Sequence, residues 1–281
     1  MCRYRDQAGM TETKIARDRA DMPTGSGTIL DRRSLADSHR QLASLVLPGM
    51  RVLDVGCGTA AITVDVADIV GTRGMAVGTD INQALLVQAK ERQYSKPQLH
   101  IVRADIFAMP FGQAFDIVTA ARVLQWLANP AEALSALSRA VRRGGILLVL
   151  DYDHEQIAWT PSPPPSMQRF YAAFLSWRAG AGFDNAVAGK LPAMFDRVGA
   201  VDVTLTPQPE CTRRDDGDFV TRAGIWADVA ATRGHQMVRD GILSEAERSA
   251  AEREYRAWVA TDAESMTLHL AAAHGTILGG S

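Results

Sequence analysis

Between Met50 and Leu150, short apolar runs alternate with segments in which apolar residues recur every three or four positions. This alternation is typical of β-strands connected by crossover helices, and it predicts a parallel sheet with helices on both faces. The predicted strands are Arg51–Val55, Met75–Thr79, Gln98–Arg103, Phe115–Ala120 and Gly145–Leu150. The order of these segments therefore places the chain in the α/β class.

Two connecting helices are predicted from periodicity, Ala60–Val70 and Pro130–Arg143. The second begins with proline, which suits a first helical position. It carries Arg139, Arg142 and Arg143 near its end, where positive charge offsets the helix dipole. We interpret these arginines as helix-end residues rather than as a nucleic-acid site.

The C-terminal half changes character after a proline- and serine-rich stretch at Thr160–Ser166. Apolar residues then return at helical spacing, which predicts an inserted helix. Helices are also expected at Gly189–Val198, about Phe219–Asp240 and Glu245–Thr261, and strands at Asp202–Thr206 and Met266–Leu270. Ser244 and Glu247 match the capping box that begins a helix.

Composition narrows the possible functions. The chain has 281 residues, a formal net charge of −2, and three widely separated cysteines. These values do not favour a nucleic-acid surface, a disulfide framework or a paired-cysteine metal site, and no metal is expected. No apolar run suits a membrane span or a secretory signal, so we expect a cytoplasmic protein with no membrane partner. Met10 is an alternative start to Met1, and the oligomeric state is left open.

The first predicted strand leads into Asp54, Gly56, Cys57 and Gly58, and then into a helix. A chain that turns sharply at the end of a strand, and lets a ligand approach its backbone, needs residues without a Cβ. The two glycines meet that need, and Cys57 is expected to be a small residue that presents its backbone N–H. Ala60 leaves slightly less room than a third glycine.

This segment resembles the first motif of class I S-adenosylmethionine-dependent methyltransferases. Further likenesses follow in register: Asp80 after the second strand, Arg103–Ile106 after the third, the Met109–Phe111 run, and Val123–Pro130 after the fourth. The resemblance covers roughly residues 50 to 153 and is strongest for the small-molecule branch that includes ubiquinone and menaquinone methyltransferases. It implies a Rossmann-like, seven-stranded, mostly parallel sheet with helices on both faces.

The resemblance also implies S-adenosylmethionine as cofactor. Asp80 would accept the ribose hydroxyls, Asp105 the adenine amino group, and the Ile106 N–H would meet the adenine ring. The full predicted cofactor site is Asp54, Gly56, Cys57, Gly58, Asp80, Ile81, Asp105, Ile106, Ala121 and Arg122. Because this cofactor is cationic and lacks phosphate, acids at these positions suit it.

Alternative functions stay open at this point. The glycines formally match a dinucleotide fingerprint, which would indicate an NAD(P)-dependent oxidoreductase, although Asp54 would place a like charge near a pyrophosphate. A nucleic-acid methyltransferase is disfavoured because Ala120–Val123 replaces the Asn-Pro-Pro-Tyr type of motif. A non-catalytic partner protein with a methyltransferase fold is the third alternative.

The predicted organisation is an N-terminal extension at 1–30, partly flexible, a cofactor-binding core at 31–153, and the rest of the sheet with a helical cap at 154–281. The cap would enclose a small, flat aromatic or heterocyclic acceptor, methylated on O, N or C. Trp126, Tyr152, Phe174 and Trp177 are predicted to contact this substrate. His154 is the leading general base and His269 the second, because a hydroxyl or ring N–H acceptor would need one.

Overall fold

The computed structural model describes residues 14–23 and 27–279, and the chain forms two compact units. We call Gly27–Tyr152, Ala186–Gln208 and the described residues from Leu270 onward the sheet unit. The helical unit comprises Asp153–Asn185, Pro209–His269 and residues 14–23. Of the predicted extension, 1–13 and 24–26 lie outside the described residues, and so does Met10.

The helices and strands alternate through the first half of the chain. The strands are β1 (Arg51–Val55), β2 (Met75–Asp80), β3 (Leu99–Arg103), β4 (Phe115–Ala121), β5 (Val141–Thr160), β6 (Ala200–Pro207), β7 (Glu210–Arg213) and β8 (Ser265–Ile277). The helices are α1 (14–20), α2 (Gly27–Leu30), α3 (Leu35–Ser38), α4 (Arg40–Leu45), α5 (Ala61–Val70), α6 (Gln83–Gln93), α7 (Pro130–Ser138), α8 (Pro165–Ala179), α9 (Val187–Arg197), α10 (Phe219–Ala223), α11 (Ile225–Ala231), α12 (Arg233–Arg239) and α13 (Glu245–Thr261). Among the described residues, no helix combines the length and apolar character needed to cross a membrane.

The strand order is β3-β2-β1-β4-β5-β8-β6, with β7 paired to β8. β1 to β5 pair in parallel, whereas β8 runs antiparallel to β6 and β7. The predicted α/β class with a mostly parallel sheet is therefore confirmed, but the described chain has eight strands rather than seven. The extra strand, β7, is short and polar, so it carries no periodic apolar signal.

Apolar residues of the strands form the core of the sheet unit together with helices α7 and α9. The cluster includes Leu53, Val55, Val118, Ala120, Leu147, Val149, Leu134, Leu137, Leu191 and Phe195, each at most 4% exposed. Because parallel strands in such a sheet are covered by helices, their side chains read as continuous apolar runs. This property explains why β1, β2 and β4 were predicted to within one residue of their observed ends.

Predictions made from weaker signals differ from the structure. Helix α7 ends at Ser138, not at Arg143, because the chain enters β5 at Val141. Arg142 consequently lies on a strand, where its Nε donates to Asp116 Oδ1 at 2.6 Å. Strand β5 extends ten residues beyond its predicted end at Leu150, through a polar stretch that has no strand signature.

The helical unit shows the same contrast between strong and weak signals. The capping box of α13 is confirmed: the Ser244 N–H donates to Glu247 Oε2 at 2.7 Å, and the Glu247 N–H donates to Ser244 Oγ. The single helix predicted for about 219–240 is wrong, because three short helices break at Gly224 and Thr232. The Thr232 hydroxyl donates to the Asp228 carbonyl, a local bond that competes with helix continuation.

Candidate functional site

The loop between β1 and α5 lies directly against the residues that follow β4. Gly56 has a φ of 77°, and a Cβ at this position would lie 2.3 Å from Cγ2 of Val123. Gly58 is also left-handed, with a φ of 56°. Glycine is therefore required here for two reasons, a left-handed backbone and the close approach of Val123.

Three successive amides of this loop are bound to the end of β2. The Gly56 and Cys57 N–H groups donate to the Thr79 carbonyl at 2.7 and 2.9 Å. The Gly58 N–H donates to Asp80 Oδ2 at 2.9 Å. The Cys57 N–H is thus bonded to the end of β2, and the place of Cys57 in the cofactor site stays a prediction. Burial, followed by the charges of Asp54 and Asp80, raises the pKa of the Cys57 thiol, which disfavours the thiolate form that a nucleophile needs.

Asp80 is fixed by backbone donors on both carboxylate oxygens. Besides the Gly58 contact, its Oδ1 accepts the Asn82 N–H at 2.8 Å. The N-cap of α6 is Asn82, whose side chain accepts the Ala84 and Leu85 N–H groups, so Asp80 does not fill the capping role. Burial raises the pKa of Asp80, and the amides of Asn82, Gly58 and Ile81 act in the opposite direction. Because a carboxylate has about four lone-pair sites, it can still accept a ligand hydroxyl.

Asp54 braces the first turns of α5 from the adjoining strand. It is 5% exposed, and its Oδ2 accepts the Thr63 hydroxyl at 2.6 Å. Burial raises the pKa of Asp54 to about 6, the Thr63 hydrogen bond opposes this rise, and the charge of Asp80 adds to it. Ala60, which stands in place of a third glycine, has a φ of 61° at the N-cap of α5. That left-handed alanine carries a steric cost of about 1 kcal/mol.

Three further residues of the predicted cofactor site, Asp105, Ile106 and Ile81, lie just after strands β3 and β2. Asp105 follows β3 and its Oδ1 accepts the Phe107 N–H at 2.9 Å. Ile81 follows β2 and is 57% exposed, an apolar side chain at the carboxyl edge of a parallel sheet. Ile106 is half-buried against the core cluster. Ligands of open α/β sheets bind at this edge, which is where the sequence predicts the adenine site.

The ends of β4 and β5 hold a buried polar cluster. Arg122 has a φ of 62°, and its guanidinium donates to the Ser38 carbonyl at 2.9 Å and to the Tyr152 hydroxyl at 3.2 Å. His39 Nε2 lies 2.9 Å from the Thr119 hydroxyl, and the histidine is 1% exposed. Burial, and next the charge of Arg122, lowers the pKa of His39 to about 3. Sequence reasoning missed His39 because it stands outside every motif, between two very short helices.

The remaining predicted residues belong to the helical unit or flank the cluster. Ala121 ends β4, and Trp126 is half-buried in the short helical turn that follows. His269 is half-buried on β8, on the face opposite Leu268 and Leu270. Because strand residues alternate between faces, the prediction that one face of this strand is buried is confirmed.

His154, Phe174 and Trp177 lie together in the core of the helical unit. The Phe174 ring centroid is 6.0 Å from that of His154 and 6.2 Å from that of Trp177. Trp177 Nε1 donates to Asp240 at 2.7 Å, and its side chain is fully buried. Burial, and then the charge of Arg178, lowers the pKa of His154 well below its usual range. A histidine that stays neutral in this way is a weak proton acceptor, so its role as general base remains only a prediction.

The sheet unit thus brings together the acids, glycines and Arg122 of the predicted cofactor site. Residues 47–178 match the family model described as a methyltransferase domain, and the resemblance predicted from the sequence is confirmed.

Named relatives extend this likeness. The chain is 38% identical over 38% of its length to the ubiquinone/menaquinone biosynthesis C-methyltransferase UbiE of Ectopseudomonas mendocina, covering 43% of that protein. It is 28% identical over 60% of its length to the demethylmenaquinone methyltransferase of Lysinibacillus sphaericus, covering 76% of that protein. Several curated relatives are matched over only 39 to 46% of their own length.

A solved structure confirms the fold class. The phosphoethanolamine N-methyltransferase 2 of Haemonchus contortus, crystallised with S-adenosylmethionine, superposes with a TM-score of 0.51 at 16% identity. The likeness covers 84% of this chain and 52% of that one. The ligand of that solved structure, S-adenosylmethionine, is the cofactor that the sequence predicts for this chain.

Proposed function

We propose that this protein transfers a methyl group from S-adenosylmethionine to a small-molecule acceptor. The observation that carries the proposal is the bonding of the β1–α5 loop. Three successive N–H groups of the loop donate there to the Thr79 carbonyl and to the Asp80 carboxylate, which accepts the Gly58 N–H. A cofactor pyrophosphate needs such amides free at the start of a helix, whereas a ribose hydroxyl can donate to the carboxylate.

The residues present suit this cofactor. A side chain at Gly56 would overlap Val123, so the backbone of the loop packs closely against Val123 without a Cβ atom between them. The hydrogen-bond acceptors at this edge are the carboxyl groups of Asp54, Asp80 and Asp105, which match a ligand bearing hydroxyls, an amino group and positive charge. Asp80 would hold the ribose, Asp105 and Ile106 the adenine edge, and Ile81 the face of the adenine ring. Ala121 and Arg122 would hold the methionine portion.

The chemistry requires little from the protein beyond alignment. When bound, S-adenosylmethionine supplies a methyl group on a sulfonium, whose loss leaves a neutral thioether. The chain therefore needs no acid for the leaving group, and its residues contribute mainly by holding the acceptor in line and by excluding water. A general base is required only where the acceptor atom carries a proton.

We further propose that the acceptor is a small aromatic or heterocyclic metabolite. Supporting this class are the curated relatives named for quinone biosynthesis, although they are matched over limited lengths. Phe174 and Trp177 of the helical unit stay candidates for acceptor contact, but their burial in that unit supports a packing role equally well. The test is incubation of the protein with methyl-labelled cofactor and a metabolite extract, followed by identification of the labelled product.

The cofactor assignment is tested separately by titration calorimetry with S-adenosylhomocysteine. Asp80→Ala should weaken binding by at least about tenfold, because one or two charge-assisted hydrogen bonds to the ribose are lost. Asp116→Ala is the matched control, since Asp116 also accepts a backbone amide, that of Arg51, but lies at the amino end of β4. Equal affinity of the Asp80 variant and the wild type would refute the ribose assignment.

The oxidoreductase and non-catalytic alternatives give different results in these experiments. NADH or NADPH binding with a loss of their absorbance, in the absence of S-adenosylhomocysteine binding, would support a dehydrogenase. Binding of S-adenosylhomocysteine with no labelled product from any extract would support a non-catalytic partner protein. A labelled small molecule together with the Asp80 effect would support the proposed methyl transfer.

A further inference from the structure

The proposed cofactor carries one group for which the acid-rich loop offers no counter-charge, the carboxylate of its methionine portion. Placing a carboxylate beside Asp54 and Asp80 is unfavourable unless a cation lies nearby. Four arginines are buried in the described part of the chain, and Arg178, Arg233 and Arg248 belong to the helical unit. The fourth, Arg122, belongs to the sheet unit.

Arg122 lies where this charge is needed. It follows the last residue of β4, and its neighbour Val123 is in steric contact with the position of Gly56. Its backbone is held at a left-handed φ of 62°, and its amide donates to the Leu150 carbonyl at 2.7 Å. A non-glycine residue kept in this strained conformation is typical of functional sites, where neighbouring structure enforces the strain. The guanidinium also lies over the Tyr152 ring, 5.7 Å from its centroid.

His39 supplies a second donor next to this charge. Its Nε2 lies within hydrogen-bond distance of the Thr119 hydroxyl, and Thr119 is on β4, three residues before Arg122. Within the described residues, His39 Nδ1 is buried and has no hydrogen-bond partner. A buried polar atom left in this state is unfavourable, so a ligand atom that hydrogen-bonds to it increases affinity. Since Nε2 can accept the Thr119 hydroxyl proton, Nδ1 can carry the ring proton and donate.

We propose that the Arg122 guanidinium and the His39 Nδ1–H bind the carboxylate of the cofactor's methionine portion. This inference rests on the proposed function and deepens it by assigning the carboxylate subsite. The low pKa of His39 supports the assignment, because a neutral imidazole donates one hydrogen bond without adding a second positive charge to the cluster.

The experiment compares two ligands on each protein by titration calorimetry: S-adenosylhomocysteine and its decarboxylated analogue, which retains the amine. For the wild type, loss of the carboxylate should weaken binding by about tenfold or more, as expected for a charge-assisted contact. In Arg122→Met the two ligands should bind with nearly equal affinity. Arg143→Met is the control, because Arg143 is exposed at the start of β5, and it should keep the wild-type ratio.

Two substitutions of His39 distinguish ligand binding from packing. The amide nitrogen of asparagine lies near the position of histidine Nδ1, and the terminal group of glutamine lies near Nε2. His39→Asn should therefore retain most of the preference for the carboxylate. His39→Gln should keep the Thr119 contact but show a smaller preference, because only the Arg122 contact to the carboxylate would remain. A purely structural histidine would give the opposite order of affinities, or no difference in ligand ratio.

The outcomes separate this inference from the proposed function. If the wild type binds S-adenosylhomocysteine and every variant keeps the full preference for the carboxylate, the subsite assignment is wrong and the proposed function stands. If the wild type binds neither ligand, the proposed function fails and the subsite fails with it. Because the ratio is measured within one protein, a variant of lower stability is still informative.

Discussion

Two buried regions of this molecule were predicted to be functional, and they are built differently. The β1–α5 loop of the sheet unit holds its acids through hydrogen bonds, from Gly58 and Asn82 to Asp80 and from Thr63 to Asp54. The helical unit holds His154, Phe174 and Trp177 through ring packing, with centroids about 6 Å apart. Burial raises the pKa of both acids and lowers that of His154.

The difference shows which kinds of sequence signal point to function. The loop was identified by residue types at fixed spacing, and fixed spacing reflects a geometric need, such as a backbone without Cβ. The aromatic residues were identified by helical period, and a period is equally typical of a helix that only packs. Burying a charged group is unfavourable unless hydrogen bonds or an opposite charge compensate it. Buried acids that can still accept hydrogen bonds therefore indicate a functional role, whereas buried aromatic rings are expected in any core.

The largest expected effect tests whether the aromatic cluster is only structural. Phe174→Ala should lower the free energy of unfolding by about 3–5 kcal/mol, because it leaves a cavity among packed rings. Phe107→Ala is the size-matched control, since Phe107 is 38% exposed, and it should change stability little. Urea unfolding measures both. Affinity for S-adenosylhomocysteine should not change in Phe174→Ala, because the proposed cofactor residues all belong to the sheet unit.

The contrast between a functional loop and a structural aromatic cluster is wrong if Phe174→Ala keeps wild-type stability but changes the KM or kcat for the acceptor. That result would favour the acceptor-binding role that the sequence predicted for Phe174 and Trp177, and it would place function in both regions.

The second prediction uses the buried carboxyl of Asp54. Its pKa is about 6 in the folded protein and 3.8 as the ordinary value, so the native state binds more protons between these pH values. The free energy of unfolding should therefore fall as pH rises from 4 to above 6, by about 3 kcal/mol for this group. Asp54→Asn should lack this component. The measurement is urea unfolding of both proteins at a series of pH values.

Asp105→Asn serves as the control for removing an acid from the same edge of the sheet unit. If the unfolding free energies of wild type and Asp54→Asn run parallel across pH 4 to 7, the carboxyl is not held in a desolvated state. The contrast between hydrogen-bonded acids and packed rings would then be weaker than the structure indicates.

Much of the fold could be predicted because parallel strands that are buried on both faces appear in the sequence as uninterrupted apolar runs. β1, β2 and β4 were located in this way, and the Ser244 and Glu247 cap placed the start of α13. β7 and the outer half of β5 could not be predicted, because their residues are polar and their pairing depends on strands distant in sequence. Within the site, the acids followed from the motif. His39 did not, because it joins the cluster only through tertiary contacts with Thr119 and Arg122.

The third prediction separates backbone strain from steric overlap at the loop. Gly56 and Gly241 both have positive φ, 77° and 72°, but a Cβ at Gly241 would meet nothing within 4 Å. Gly56→Ala should therefore lose about 1–3 kcal/mol more stability than Gly241→Ala, owing to overlap with Val123. Thermal or urea unfolding gives the comparison. Adding Val123→Ala to Gly56→Ala should recover part of this extra loss, and equal losses in the two single variants would show that the loop can move away from Val123.

The smallest expected effect concerns Asp105, which ends the row of acids in the sheet unit. If it accepts the adenine amino group, Asp105→Ala removes one hydrogen bond to a neutral donor and should weaken S-adenosylhomocysteine binding by about fivefold. The effect should be smaller than that of Asp80→Ala, because the ring would still be held by Ile81 and by the Ile106 N–H. The direct measurement is the affinity ratio of S-adenosylhomocysteine to S-inosylhomocysteine, which carries a carbonyl in place of the amino group. The wild type should prefer the adenosyl ligand, and Asp105→Ala should lose that preference, since a carboxylate repels a carbonyl oxygen but an alanine does not. A preference that survives the substitution would show that Asp105 serves only to accept the Phe107 N–H.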